Sequence, residues 1–153
     1  MEGIWKARRH SALSFDGVDD YVDCGSFFNP GYSDFTLEAW TKAPSPALTA
    51  IVSKDDAGAN RAYFLSWSND RFRFDVFSQG ASGSSGDLLH IESPVVKMNR
   101  WYHVVAVFRN GGHSSIFVNG VEVVSGTAGS GFVSAPATVQ LGKDPWYGSP
   151  VTI

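Results

Sequence analysis

Residues 116–123 read Ile-Phe-Val-Asn-Gly-Val-Glu-Val, an Asn-Gly pair set between two apolar runs. This is the strongest short signal for a β-hairpin. A two-residue turn that matches the strand twist needs positive φ at both central positions, and Asn and Gly tolerate it. Such a turn pairs Val118 with Val121 and Ile116 with Val123 on one face, and it places Phe117 and Glu122 on the other. Residues 66–73, Ser-Trp-Ser-Asn-Asp-Arg-Phe-Arg, repeat the pattern around Asn69-Asp70. Trp67 then faces Phe72, Leu65 faces Phe74 and Tyr63 faces Val76, an apolar set. Ser66, Ser68, Arg71, Arg73 and Asp75 share the opposite face, as in an antiparallel sheet with one dry and one wet side.

Strand-like runs recur along the rest of the chain, separated by Gly, Pro, Asn, Asp and Ser clusters, and no helical periodicity exceeds two turns. The expected strands are 11–16, 21–24, 35–42, 50–54, 62–68, 71–78, 87–93, 101–109, 114–118, 121–125 and 138–142. The run 101–109, nearly apolar on both faces, reads as a central strand. The Gly- and Ser-rich stretch between Gln79 and Asp87 reads as a polar loop, as does 126–131. A chain of 153 residues with 43% hydrophobic and 14% aromatic residues is long and apolar enough for one packed domain. The fold class expected is an all-β, antiparallel two-sheet β-sandwich. Its core centres on Leu37, Leu65, Trp67, Phe72, Phe74, Trp101, Val105, Val107, Ile116 and Val118.

Several function classes are disfavoured. The formal net charge of −3 offers no general field for nucleic acid, and the basic run Lys6-Ala7-Arg8-Arg9-His10 reads as a solvated leader over 1–10. Cys24 is the only cysteine, so neither an intrachain disulfide nor a cysteine-based metal cluster can form. It reads as a small buried hydrophobe. No apolar run approaches the roughly 18 residues of a membrane span. The first residues carry no apolar signal-peptide core, which leaves the compartment open.

Four blocks resemble a known family. Ala12-Leu13-Ser14-Phe15-Asp16-Gly17-Val18-Asp19-Asp20-Tyr21-Val22 resembles its opening strand pair. Phe35-Thr36-Leu37-Glu38-Ala39-Trp40-Thr41-Lys42 resembles its FT-apolar-x-AW-x-K strand. Trp101-Tyr102-His103-Val104-Val105 with Phe117-Val118-Asn119-Gly120-Val121 resembles its W-x-H-V-A and Y-V-N-G hairpin. Leu141-Gly142-Lys143-Asp144 resembles its late IG-x segment. Each block is weak alone, but the ordered set identifies 11–153 as similar to the laminin-G-like, concanavalin A-like lectin and glucanase family. The resemblance implies a jelly roll with one concave sheet, and an extracellular or cell-surface setting. It also implies a closing strand of pattern G-x-I-D-E-V-R-I-Y against the first strand, where this sequence has Pro150-Val151-Thr152-Ile153. The expectation is an open sheet edge, filled by the N-terminal segment or a neighbouring chain, and hence a homo-oligomer.

Catalysis has little support. Glycosidases need two carboxyls about 5–9 Å apart, and hydrolases of this fold set them as Glu-x-Asp-x-Glu along one strand. Glu38, Glu92 and Glu122 each stand alone on their strands. Gly80-Ala81-Ser82-Gly83-Ser84 only approximates a nucleophile elbow and no helix follows it. The four histidines are dispersed. His103, in phase with Trp101, Val105 and Val107, reads as a satisfied interior histidine.

Two binding constellations remain. Asp16 and Asp20, in the acidic turn 16–20, offer hard oxygen ligands to one structural calcium ion, with Asp144 as a third. Self-capping of a plain turn is the competing and favoured reading. Glu38, Trp40 and Lys42 share one strand face. If Trp40 lines a groove, they form a sugar-compatible patch with Ser66, Arg73 and Asp75, the ring stacking on the apolar face of a sugar. The competing reading buries Trp40 in the core and leaves Asp75 in an ordinary ion pair with Arg73. Trp146 and Tyr147 are a second aromatic pair. The chain is therefore expected to be a non-catalytic module that recognises carbohydrate or a glycoprotein surface. The alternative is an assembly module completed by a partner strand, and a glycoside hydrolase ranks third.

Overall fold

The structure, a computed structural model, describes residues 12–16, 19–42, 48–56, 60–82 and 85–143. Ten strands occur among them: β1 (Val22–Asp23), β2 (Phe35–Thr41), β3 (Thr49–Lys54), β4 (Tyr63–Ser68), β5 (Arg71–Ser82), β6 (Ser85–Glu92), β7 (Tyr102–Phe108), β8 (His113–Val118), β9 (Val121–Thr127) and β10 (Val139–Leu141). They form two antiparallel sheets, one of order β1-β10-β3-β4-β5-β6 and one of order β2-β7-β8-β9. This is the antiparallel β-sandwich that the alternation dictates, with β7 inside its sheet.

Both hairpin signals act as their residues require. Asn69 and Asp70 have φ of 50° and 60°, and Asn119 and Gly120 have 51° and 81°, the positive pair of a two-residue turn. Around the first, Tyr63 opposes Val76, Leu65 opposes Phe74 and Trp67 opposes Phe72. Around the second, Val118 opposes Val121 and Phe117 opposes Glu122, but a bulge then shifts the register so that Ile116 opposes Val124 and not Val123. One extra residue on β9 is what a bulge inserts, and no turn residue signals it.

Phe35 and Leu37 from β2, Val104, Ala106 and Phe108 from β7, and Ile116 and Val118 from β8 meet Tyr63, Leu65, Trp67, Phe72, Phe74 and Val76 from the facing sheet. Phe35 sits among Tyr63, Phe108 and Phe132, with ring centroids 5.0, 5.1 and 5.3 Å away. This aromatic cluster corrects the phase expected for β7. Phe108 is its largest inward side chain, so Val104 and Ala106 follow it inward, while Val105 and Val107 are only half-buried. Trp101, one residue before the strand and in their phase, is 49% exposed and not core.

Three further expectations change. Residues 12–16 form no strand. Phe15 is instead buried against Gly142, where a Cβ would come within 2.9 Å of the phenyl ring. The Gly- and Ser-rich stretch after Gln79 is largely strand, with Ser82 opposing Ser85 in a β5–β6 hairpin. The supposedly wet face of β4 and β5 is partly dry, for Ser66 and Asp75 are fully buried and Phe64 packs with Phe77, Ala50 and Ala81. Long side chains cause this, since Arg73 and His90 bond Asp75 and the Arg61 guanidinium lies 3.6 Å over the Phe77 ring. The leader 1–10 and the tail 144–153 lie outside the described residues.

Candidate functional site

Register and parity build the site. Phe35 and Leu37 point into the sandwich, so Thr36, Glu38 and Trp40 point out, with Lys42 next in phase. Trp40 is 67% exposed, which rules out the buried alternative. Opposite it on β7 stands His103. The indole and imidazole rings lie 5.2 Å apart at 30°, nearly stacked. His103 Nε2 is 2.7 Å from Glu38 Oε1. The imidazole is thus an outward-facing group fixed on two sides and not an interior histidine. Trp101 shares its parity on β7 and reaches the same face. Two tryptophans, a carboxylate–imidazole pair and Lys42 are gathered on one side of the four-stranded sheet.

Beside this face, bordered by β2, lies a cavity of about 860 Å³. Ala39, Ile51, Val52 and Leu141 form its apolar lining, and Leu13 and Phe15 supply a second wall. Glu38, Trp40 and Trp101 also border it.

Arg73 and Asp75 are not part of this site. They lie on the outer face of the six-stranded sheet, across the sandwich from Trp40. There the buried Asp75 carboxylate accepts hydrogen bonds from Arg73 Nε at 2.7 Å and Nη2 at 3.1 Å, and it lies 2.6 Å from His90 Nδ1. Burial alone would lower the Arg73 pKa, but the bond to Asp75 and the charges of Asp75, Glu92 and Asp87 lift it above the ordinary guanidinium value. Asp87 is raised, first by burial and then by the Asp75 charge. The ion pair expected between Arg73 and Asp75 is present. Ser66, in the same layer, has a buried Oγ without a partner among the described residues.

The acidic turn brings Asp16, Asp19 and Asp20 together, with one carboxylate oxygen from each within 4.8 Å of the others. Three exposed carboxylates at that separation suit a hard cation. The turn also caps itself. The Asp16 N–H donates to Asp20 Oδ2 at 3.2 Å, and the Asp19 N–H donates to Asp16 Oδ1 at 3.4 Å. Asp144, Trp146 and Tyr147 lie outside the described residues.

Sequence reasoning missed His103 and Trp101. Both share the phase of Val105 and Val107, which reads as inward in the sequence. The corrective signal was Phe108, whose bulk in the other phase outweighs two valines.

The sequence matches the profile of the concanavalin A-like lectin/glucanases superfamily, laminin G type, over residues 16–152. No curated protein sequence matches significantly. Among solved structures, the binding domain of Paraclostridial Mosquitocidal Protein 1 is similar at a TM-score of 0.61 and 15% identity, over 79% of this chain and 32% of that one. The receptor binding domain of botulinum neurotoxin D is similar at 0.61 and 11%, over 84% of this chain and 34% of that one. A botulinum neurotoxin type C structure, whose cell entry is described as dependent upon interaction with two ganglioside molecules, is similar at 0.56 and 13%, over 80% and 28%. The chain spans about a third of the length of these structures, and at such identities the likeness concerns the fold. Among the described residues no helix is long and apolar enough to cross a membrane. With nearly the whole chain matched by the family profile, this protein belongs to the concanavalin A-like lectin/glucanases superfamily.

Proposed function

We propose that this protein is a non-catalytic binding module that recognises carbohydrate on the outer face of its four-stranded sheet. The observation that carries the reading is the exposed Trp40, lying beside an imidazole that Glu38 holds in place. The apolar face of a pyranose stacks on the indole, and the Glu38 carboxylate and the His103 imidazole meet its hydroxyls. Trp101 and Lys42 extend the surface. The ganglioside dependence described for the neurotoxin type C structure supports a glycan ligand.

A hydrolytic reading has less support. Glu38 and Glu122 fall in one row across the sheet, through Val105 and Phe117. Three strand spacings separate them by about 14 Å, beyond the roughly 5–9.5 Å between glycosidase carboxyls. For the acidic turn we propose a self-capped conformation. A structural calcium ion is the second reading, favoured by the 4.8 Å clustering of three carboxylates.

A glycan array, run with and without calcium, tests the reading. Binding that disappears in Trp40→Ala, and weakens roughly tenfold in Glu38→Gln for one lost charged hydrogen bond, is the expected result. Glycan binding that survives Trp40→Ala unchanged would remove the site, and a blank array would remove the function.

A further inference from the structure

We propose that the loop joining β6 to β7 is a docking tip for an anionic membrane surface, with two apolar side chains entering the interfacial layer and two cations meeting lipid phosphates. The inference goes beyond the carbohydrate reading and stands without it, since phosphatidylserine carries no sugar.

The loop reads Ser93-Pro94-Val95-Val96-Lys97-Met98-Asn99-Arg100, with two cations and no acidic residue. Apolar side chains of a plain connector gain by folding back onto the core, and Val96 does so. Val95 and Met98 do not. They are 63% and 39% exposed, and Lys97 and Arg100 stand exposed beside them. The backbone holds that arrangement. The buried Ser93 accepts the Phe72 N–H on its Oγ at 2.9 Å and Arg71 Nη1 on its C=O at 2.8 Å. The Val96 N–H donates to the Asp70 C=O at 2.8 Å, and the Lys97 N–H donates to the Tyr102 hydroxyl at 3.0 Å. Asn99 then turns the chain with a φ of 59°. A loop pinned in this way presents its four outward side chains with little backbone entropy left to lose on binding.

Charge and side-chain type decide what the tip meets. Lys97 stands between Val95 and Met98, and Arg100 follows Met98 closely, so each apolar group has a cation near it. At a bilayer surface, burial of apolar area and attraction to anionic headgroups act together. The long stems of Lys97 and Arg100 let their charges stay at the phosphate level while Val95 and Met98 sit deeper. An acidic protein fits less well. Fixing lysine and methionine in a packed interface costs rotamer freedom, and lysine is depleted from such interfaces. A fluid headgroup layer imposes no single rotamer. The tip lies at the Trp40 end of the sandwich, because Arg100 leads through Trp101 into β7, where His103 opposes Trp40.

The test uses the full chain and co-sedimentation with two kinds of vesicle, pure phosphatidylcholine or equal parts phosphatidylcholine and phosphatidylserine. The chain should sediment with the mixed vesicles and stay in solution with the pure ones. Lys97→Gln and Arg100→Gln should each weaken binding roughly fivefold, as loss of one cation near an anionic surface would. Val95→Ser combined with Met98→Ser should weaken it roughly tenfold through lost apolar burial. All four side chains are exposed, so these variants should keep the parent melting temperature. Met98→Trp should strengthen binding, because an indole favours the interfacial layer. Free phosphoserine at the same concentration of phosphate should not release the chain, which separates a lipid surface from a lone phosphate group. No sedimentation with mixed vesicles, equal sedimentation with pure phosphatidylcholine, full binding by the glutamine or serine variants, release by phosphoserine, or binding of soluble polyglutamate as tight as that of the vesicles would each overturn the proposal.

Discussion

His103 Nε2 lies 2.7 Å from Glu38 Oε1, a diagonal contact across the β2–β7 ladder that holds the imidazole beside the indole of Trp40. Such a pair on an exposed face adds little to stability, in the range of about 0–1 kcal/mol. Its consequence is orientation, since it fixes one ring plane next to another.

The three tryptophans on described strands or beside them should therefore behave differently. Trp67 is buried against Phe72, and Trp67→Ala should cost about 3–5 kcal/mol. Trp40→Ala should cost less than about 1 kcal/mol because most of its ring is already in water. Trp101→Ala, at half exposure, should cost below about 2 kcal/mol. Urea denaturation of the three variants gives the ranking. A Trp101 cost matching that of Trp67 would return Trp101 to the core and remove it from the binding face.

That ranking separates what was legible in the sequence from what was not. The turns at Asn69-Asp70 and Asn119-Gly120 set their hairpins because positive φ is a local demand met by local residues. The alternation of β2 was legible too, since Phe35 and Leu37 alternate with Thr36 and Glu38, but the outward face of Trp40 was not, because a tryptophan fits the core as readily as a groove. β7 was not, because Trp101, Val105 and Val107 look as apolar as Val104, Ala106 and Phe108. Only the aromatic cluster contributed by Phe35, Tyr63 and Phe132 decides between them. The wet face of β5 misled for a similar reason, as its polar residues shield each other from water. Which residues share a side of the sandwich depends on sheet membership, and β2 and β5 belong to different sheets.

Lys54 gives a pH dependence. It is fully buried, its Nζ donates to the Ala137 carbonyl at 2.5 Å, and burial lowers its pKa below the ordinary 10.5. Between the folded and unfolded values the unfolded chain binds more protons, so this residue makes stability rise with pH in that window. Tyr63, opposite Lys54 in register, has its pKa raised by burial and then by Cys24, and acts in the contrary sense above about pH 10. Denaturation midpoints measured from pH 7 to 9.5 should therefore climb less steeply in Lys54→Met than in the parent. Identical slopes would mean that Lys54 is not desolvated as its burial implies.

The acidic turn is tested by melting. A self-capped turn gains nothing from a cation, so millimolar calcium and EDTA should leave the melting temperature unchanged. A rise with calcium that is lost in Asp20→Asn would assign an ion to Asp16, Asp19 and Asp20, since ligand bound only to the native state raises its stability.

Asp75 tests which side of the sandwich binds. Its carboxylate is fully buried and satisfies Arg73 twice and His90 once. Removing one partner of a buried pair leaves the other charge without compensation, and Asp75→Ala should cost about 3 kcal/mol. The cost falls at the low end of such losses because the Arg73 side chain is 34% exposed and water can reach it. Glycan affinity should be unaffected below the melting transition, because Trp40 and Glu38 stand on the opposite face. The Arg73→Ala variant should cost less than Asp75→Ala, as His90 still partners the carboxylate. Calorimetric melting paired with a glycan titration separates the two effects. A variant that keeps its melting temperature but loses the glycan would move the binding site to the six-stranded sheet and leave Trp40 without a role in recognition.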